Sequence, residues 1–224
     1  MPLLGTAVVA IWNGIKPAAR ADFYEWHSRE HMLERVGIPG FLRGRRLIAE
    51  KGHPEWFTLY EVEDPRVLAG ADYLARLNAP TDWTKRVVPS FTDVTRSLCR
   101  TTFTTGPGVG GSMATIRCDA AAGRSAELAG YFEKVLSSLA ELPRVHGAHL
   151  CQVEADASSI ETEERKVRSG AGLVAEFVVM IEASTPDALD PVLEGFTAQR
   201  LVRAGASQEA PLEVGLYRLE FLCA

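Results

Sequence analysis

The chain has few cysteines, no excess of basic charge and no long unbroken apolar run, and each shortage removes a class of protein. Of 224 residues only four are cysteine, at 99, 118, 151 and 223, and no two share a C-x-x-C spacing. Each lies in a segment that reads as strand, so small buried thiols are expected in place of a zinc site. Lys and Arg number 24 against 29 Asp and Glu, a formal charge of -5. Nucleic-acid binders ordinarily carry a basic face that releases counterions from phosphates, so nucleic acid is not an expected partner. The opening residues Met1-Pro2-Leu3-Leu4-Gly5 have no basic n-region, and the apolar stretch behind them is broken at Trp12-Asn13-Gly14. Neither a signal peptide nor a membrane-spanning helix fits that pattern, and the expectation is a cytoplasmic protein with no membrane partner.

What is present is the composition of an ordinary globular protein, 46% hydrophobic and 24% charged. The length allows one large domain or two of roughly 100 residues each. Charge is unevenly spread: residues 1–108 hold 14 basic and 12 acidic side chains, residues 109–224 hold 10 and 17.

A repeat runs through the chain. The first half reads as a strand (Thr6–Trp12), a helix opened by Pro17 (Ala18–Arg35), strands Phe41–Glu50 and Trp56–Val62, a helix opened by Asp64-Pro65 (Arg66–Leu77) and a strand Thr92–Thr104. After the breaker Thr105-Gly106-Pro107-Gly108 the same order returns: strand Ser112–Cys118, helix Ser125–Leu142, strands Val145–Glu154 and Leu173–Ile181, helix Pro186–Gln199 and strand Leu212–Leu222. A shift of about 104 positions sets Pro143 on Pro39, Val145 on Phe41 and His149 on Arg45.

Strands such as Ala7–Trp12 and Phe177–Ile181 are apolar throughout and so are expected to be buried on both faces. A lone βαββαβ sheet covers one face with its helices; two such sheets closing on each other cover the second. The predicted fold is therefore α+β: two ferredoxin-like modules, residues 1–105 and 109–224, forming one intramolecular barrel with helices outside. The alternative is two independent domains, each pairing with another chain. A monomer and a homodimer are both compatible with the fused barrel.

On the first predicted helix, about 100° per residue places Ala19, Phe23, Trp26, Glu30 and Leu33 on one face. Glu30 intrudes on that stripe, and a carboxylate there is costly to desolvate unless paired or protonated. His27 stands one turn before His31, with Glu34 three residues beyond. One reading pairs Glu30 with an arginine across the core and leaves the histidines at the interface edge. The other places a pocket between helix and sheet, with an imidazole as general acid or base near neutrality. A two-point metal grip by His27 and His31 lacks a third ligand, and no metal or other cofactor is expected.

The strand Phe41-Leu42-Arg43-Gly44-Arg45-Arg46 puts Arg43 and Arg45 on one face and Arg46 on the other; one guanidinium pointing inward neutralises Glu30 or binds an anionic ligand. At the 104-residue shift Trp26, His27, Glu30 and His31 fall on Gly130, Tyr131, Lys134 and Val135, so the polar cluster belongs to the first copy alone. Trp12, Trp26, Trp56 and Trp83 also all lie in the first half, as pocket walls for an apolar or aromatic ligand or as plain core. The polar stretch Ser158–Gly170 enlarges a connection that in the first half is only Lys51–Glu55, and reads as a solvated loop or a lid.

Phe23-Tyr24-Glu25-Trp26-His27-Ser28-Arg29-Glu30-His31, then Ile38-Pro39-Gly40-Phe41 and Arg45-Arg46, resembles the EthD-like branch of the dimeric α+β barrel superfamily. The segment Trp83–Val94 is similar to that family's approach to its last strand. The resemblance covers the first half by motif and the second only by element order. It implies two sheets closing a barrel, with ligands held between a sheet and its own helices. The family's members span cofactor-free monooxygenases, cyclases, isomerases, haem-binding enzymes and proteins of no assigned activity, so fold alone does not settle function. The leading expectation is a small-molecule enzyme in which His31 or His27, with Glu30, does acid/base work, Arg43 or Arg45 steadies an anion, and Trp26 and Phe23 hold the ligand. A non-catalytic or stress-related binding module is the alternative; haem binding is a third reading, for which no axial-ligand motif is matched.

Overall fold

A computed structural model describes residues 3–139, 141–154 and 174–224; the stretch 158–170 read as loop or lid lies outside them. The described residues form eight strands: β1 (Ala7–Ile15), β2 (Phe41–Lys51), β3 (Trp56–Val62), β4 (Phe91–Thr105), β5 (Ser112–Cys118), β6 (Val145–Val153), β7 (Phe177–Ala183) and β8 (Glu213–Cys223). They close into a barrel in the order β1-β3-β2-β8-β5-β7-β6-β4, with every neighbour antiparallel. The first four strands run β4-β1-β3-β2 and the last four β8-β5-β7-β6, the same ferredoxin-like arrangement twice. The two sheets are sewn together by β2–β8 and β4–β6. This closed α+β barrel with helices outside fits a fused pair of ferredoxin-like modules.

Residue alternation explains why the strands look apolar throughout. Val8, Ala10 and Trp12 of β1 point inward and meet Leu47, Phe57, Leu59 and Cys99, together with Met113, Val178, Met180 and Tyr217 from the second sheet. Ala7, Val9 and Ile11 point outward beneath helices, with Met32, Tyr60 and Leu77. Each strand thus serves two cores, one inside the barrel and one under its own helices. Cys99, Cys118 and Cys151 are free and buried, and burial pushes the thiols of Cys118 and Cys151 up to about 12.

The helical layer departs from expectation in three places. The first helix is not uniform: a 3-10 turn (Pro17–Ala19) leads to α1 (Arg20–Trp26), a π-helical turn (His27–His31) and α2 (Met32–Val36). Where one helix was expected over 66–77, a 3-10 turn capped by the Asp64 side chain precedes α3 (Ala71–Asn78), and a further helix, α4 (Asp82–Val87), follows. Thr81 starts α4 by accepting a hydrogen bond from the Thr84 N–H at 3.0 Å. In the second half α5 (Ser125–Leu139) is regular, but the segment after β7 is cut by Pro191 and Gly195 into α6 (Asp190–Leu193) and α7 (Ala198–Arg203), flanked by 3-10 turns. Among the described residues no helix is long and apolar enough to cross a membrane.

Candidate functional site

The π-turn decides which side chains of the first helix face the sheet. A π-turn inserts one residue into the helical ladder, and residues beyond it rotate by about 100° relative to an uninterrupted α-helix. Phe23, Trp26 and His27 are buried as an α-helix would have them, but the next buried positions are His31, Met32 and Arg35. Glu30, expected beneath the helix, instead lies half-buried on its flank, where its Oε1 accepts a hydrogen bond from the Thr81 hydroxyl at 2.6 Å. Leu33, expected on the same face, is 48% exposed. His31 occupies the place assigned to Glu30, and Glu34 turns outward to Arg76.

Beneath the turn the rings form a continuous stack. Phe23 lies on His27 at 5.0 Å between centroids, His27 on His31 at 5.5 Å, and Trp26 on His31 at 4.3 Å. The Trp26 N–H donates to the Thr84 hydroxyl at 3.2 Å, tying the stack to α4. From β2, Arg46 reaches up to the Ser28 hydroxyl (3.0 Å) and to Nδ1 of His27 (3.4 Å). A guanidinium only donates, so Nδ1 of His27 accepts and the ring proton sits on Nε2. Burial, then the neighbouring His31, Arg46 and Arg35, push His27 well below the usual histidine range, so it is neutral at physiological pH. Arg46 is held in turn by Glu220 of β8 (3.3 Å), which also accepts from the Tyr24 hydroxyl (3.3 Å), and it lies over the Tyr24 ring at 4.8 Å.

Arg43 and Arg45 do not join this group, nor does either neutralise Glu30. The alternation that puts Arg46 under the helix turns both of them into the barrel, where they meet acidic side chains that sequence reasoning missed. Arg43 donates to both oxygens of Glu61, at 2.8 and 2.7 Å. Arg45 bridges Glu61 (3.0 Å) and Glu182, whose two oxygens it reaches at 2.8 and 3.0 Å. Nε2–H of His149 donates to Glu182 at 3.3 Å, while its Nδ1 accepts from the Thr104 hydroxyl at 2.8 Å. The amides of Leu4 and Gly110 complete the carboxylates. Burial alone would raise Glu182, but the Arg45 charge and the hydrogen bonds from His149 and Arg45 outweigh it and hold the carboxyl at about 2. Strand register makes Glu61 and Glu182 equivalents, since each precedes the residue paired with the start of β1 or β5. A lone acid near the end of an otherwise apolar strand, twice at matching positions, was the available signal.

Among the described residues the second half has no such polar face under its helix. Phe132 packs on Phe177 as Phe23 packs on Trp56, which makes Leu136 the counterpart of His27, where the 104-residue shift had placed Tyr131. Leu150 stands where the first half has Arg46. Gly44 lets the first helix come close: a Cβ there would sit 2.9 Å from the tip of Met32 and 3.1 Å from the Tyr60 ring. Among the described residues no group of three or more His, Cys, Asp or Glu is arranged to hold a metal ion.

Solved structures share this architecture over nearly the whole chain. An anthrone oxidase-like protein superposes with a TM-score of 0.64 at 11% identity, over 97% of this chain and 92% of the other. Proteins provisionally described as monooxygenases, from Fusobacterium nucleatum and Lactobacillus acidophilus, give 0.62 at 7% identity and 0.58 at 11%. The first covers 97% of this chain and 94% of its own, the second 98% and 96%. At these identities the likeness is one of fold, the ferredoxin-like α+β barrel, and carries no residue roles. Sequence comparison finds no matching protein family and no matching curated protein.

Proposed function

We propose that this chain is a cofactor-free enzyme of small-molecule metabolism, a fused pair of EthD-like modules (residues 1–105 and 109–224) with its active centre in the first. The ligand is an apolar or aromatic molecule with an acidic C–H beside a carbonyl, seated between the π-turn and the outer face of the first sheet. One observation carries the reading: two buried imidazoles stand on a π-turn above a buried arginine, and the second-half counterparts of His27 and Arg46 are the apolar Leu136 and Leu150. π-turns recur at functional sites because they re-aim side chains at a cost in helix regularity.

The chemistry starts with proton transfer. His31 takes the proton, the C–H electron pair moves onto the carbonyl oxygen, and Arg46 faces the resulting enolate. His27, neutral and fixed by Arg46, orients the ring stack, Glu30 steadies the π-turn from its flank, and Phe23 and Trp26 flank the ligand. Oxygenation, isomerisation and cyclisation of such a molecule share this first step. The fold likeness to an anthrone oxidase-like protein supports a polycyclic aromatic ketone as the carbon acid and dioxygen as oxidant.

The test is dioxygen uptake with 1,8-dihydroxyanthrone, measured above the spontaneous rate. The wild-type chain accelerates uptake, and His31→Ala lowers kcat by about 10²-fold or more, the usual worth of a general base, while Tm stays within a few degrees. A kcat loss accompanied by collapse of Tm refutes the catalytic role. A non-catalytic binding module is the second reading, favoured by the burial of both imidazoles, each 4% exposed. Saturable binding of the probe without dioxygen uptake selects it.

A further inference from the structure

Two polar groups on the sheet side of the proposed seat are buried without a hydrogen-bond partner among the described residues: the Thr58 hydroxyl and the Trp56 indole N–H, in side chains 1% and 0% exposed. Each such group costs about 1–3 kcal/mol of unreturned desolvation. Both point outward from the barrel, sharing the parity of Tyr60 and Val62, which pack under the helices. Thr58 is flanked by Ile11 of β1 and Arg46 of β2. Trp56 on one side of it meets Phe23 at 4.8 Å, and Tyr60 on the other packs with Met32. Thr58 therefore lies under the stretch of helix that carries His27 and His31.

The second half shows that the fold needs neither polar group. Ile116 pairs with Val179 as Ile11 pairs with Thr58, and Leu150 pairs with Val179 as Arg46 pairs with Thr58. The same register sets Phe177 at the place of Trp56. Valine has the shape of threonine without its hydroxyl, and phenylalanine is an aromatic without an N–H. The second half buries these apolar residues at 0% and 1% exposure. The first half accepts a desolvation cost that its counterpart avoids.

We infer that the Thr58 hydroxyl and the Trp56 N–H are hydrogen-bond partners of the ligand, and that with Arg46 they select a planar aromatic bearing acceptor oxygens, carbonyl or phenolate, on the edge laid against the sheet. An indole N–H and a guanidinium only donate, and a hydroxyl adapts, so the face matches an oxygen-rich edge and disfavours a hydrocarbon one. The inference rests on the proposed seat and adds its substrate class.

The test uses 1,8-dihydroxyanthraquinone, which is not turned over, as the binding probe, with Kd and Tm measured for three variants. Thr58→Val weakens binding about tenfold, the size of one buried hydrogen bond, and leaves Tm equal or higher. Thr58→Ser keeps affinity within about threefold, and Trp56→Phe weakens it by a factor similar to that of Thr58→Val. Wild-type affinity in Thr58→Val overturns the inference. So does a fall in Tm of several degrees in Thr58→Val, which means the hydroxyl is bonded within the folded chain. If Thr58→Val binds normally while His31→Ala still abolishes dioxygen uptake, the inference fails and the seat stands; if neither substitution has an effect, the seat fails too. A wild-type chain that does not bind the probe overturns the ligand class and this inference with it.

Discussion

Glu182→Gln removes one carboxylate from the ionic group inside the barrel, and the structure sets the size of the effect. The Glu182 carboxyl is held at about 2 in the folded chain against an ordinary 4.5. That difference favours the ionised folded state by on the order of 3 kcal/mol at neutral pH. Removing one partner of a buried ion pair costs about 3–5 kcal/mol, because Arg45 keeps its charge and loses a bidentate partner. For a chain of this size the expected fall in Tm is roughly 6–20 °C. Acid adds a second signature. The folded pKa is depressed, so the contribution is complete above the unfolded value of 4.5 and is lost as pH falls from there toward about 2. Thermal unfolding followed by circular dichroism at pH 7, 4.5 and 3 measures both. Wild-type Tm should drop across the acid steps, and the variant's should drop less. A variant within about 2 °C of wild type at pH 7, with an unchanged acid slope, would mean that the ionic group contributes no net stability and that the reasoning is wrong.

The same linkage, with the same sign, applies to His27: its folded pKa is depressed, so folding excludes a proton that the unfolded chain binds below about 6.5, and stability falls as pH drops through that value. His27→Leu, which installs the counterpart residue Leu136, should flatten the decline between pH 7 and 5 in urea-midpoint measurements. Gly44→Ala drives a Cβ onto Met32 and Tyr60 and should cost about 1–3 kcal/mol by overpacking in denaturant titration. The equivalent position in the second half already holds Ala148, so Ala148→Gly should cost no more than about 1 kcal/mol.

The strands and their order were legible because apolar runs of strand length, bounded by glycine and proline, have few other uses, and because the order occurs twice. The face of β2 was half legible. Alternation separates Arg46 from Arg43 and Arg45, but nothing in the residues says which face the helix covers. The π-turn left no mark at all: His27-Ser28-Arg29-Glu30-His31 is an acceptable α-helical sequence, and the partners of the residues around it, Trp56, Phe91 and α4, are brought there only by the tertiary fold. That single residue exchanges Glu30 for His31 as the buried side chain. It turns a carboxylate-centred site into an imidazole-centred one. α4 was missed for a related reason, since six residues opened by Thr81 carry too short a period to stand out from a loop.

The ionic group and the helix site also explain why neither half is complete. Arg45 joins Glu61 of its own sheet to Glu182 of the other, so the carboxylates of both halves share one guanidinium across the barrel axis. On the outer face Arg46 meets His27 from one side and Glu220, from the last strand of the other half, on the opposite side. Glu220 and Phe221 reach the first helix only because β8 pairs with β2 and not with its own half's β6. On the proposed reading of a duplicated chain, the second half lost the polar side chains under its own helix, where Leu136, Leu150, Val179 and Phe177 now form plain core. It kept the strand that closes the first half's site. Such a division of labour is open to a fused pair and closed to a symmetric dimer, in which every change to one site is a change to both. On that reading the asymmetry of charge and tryptophan between the halves follows from the same freedom.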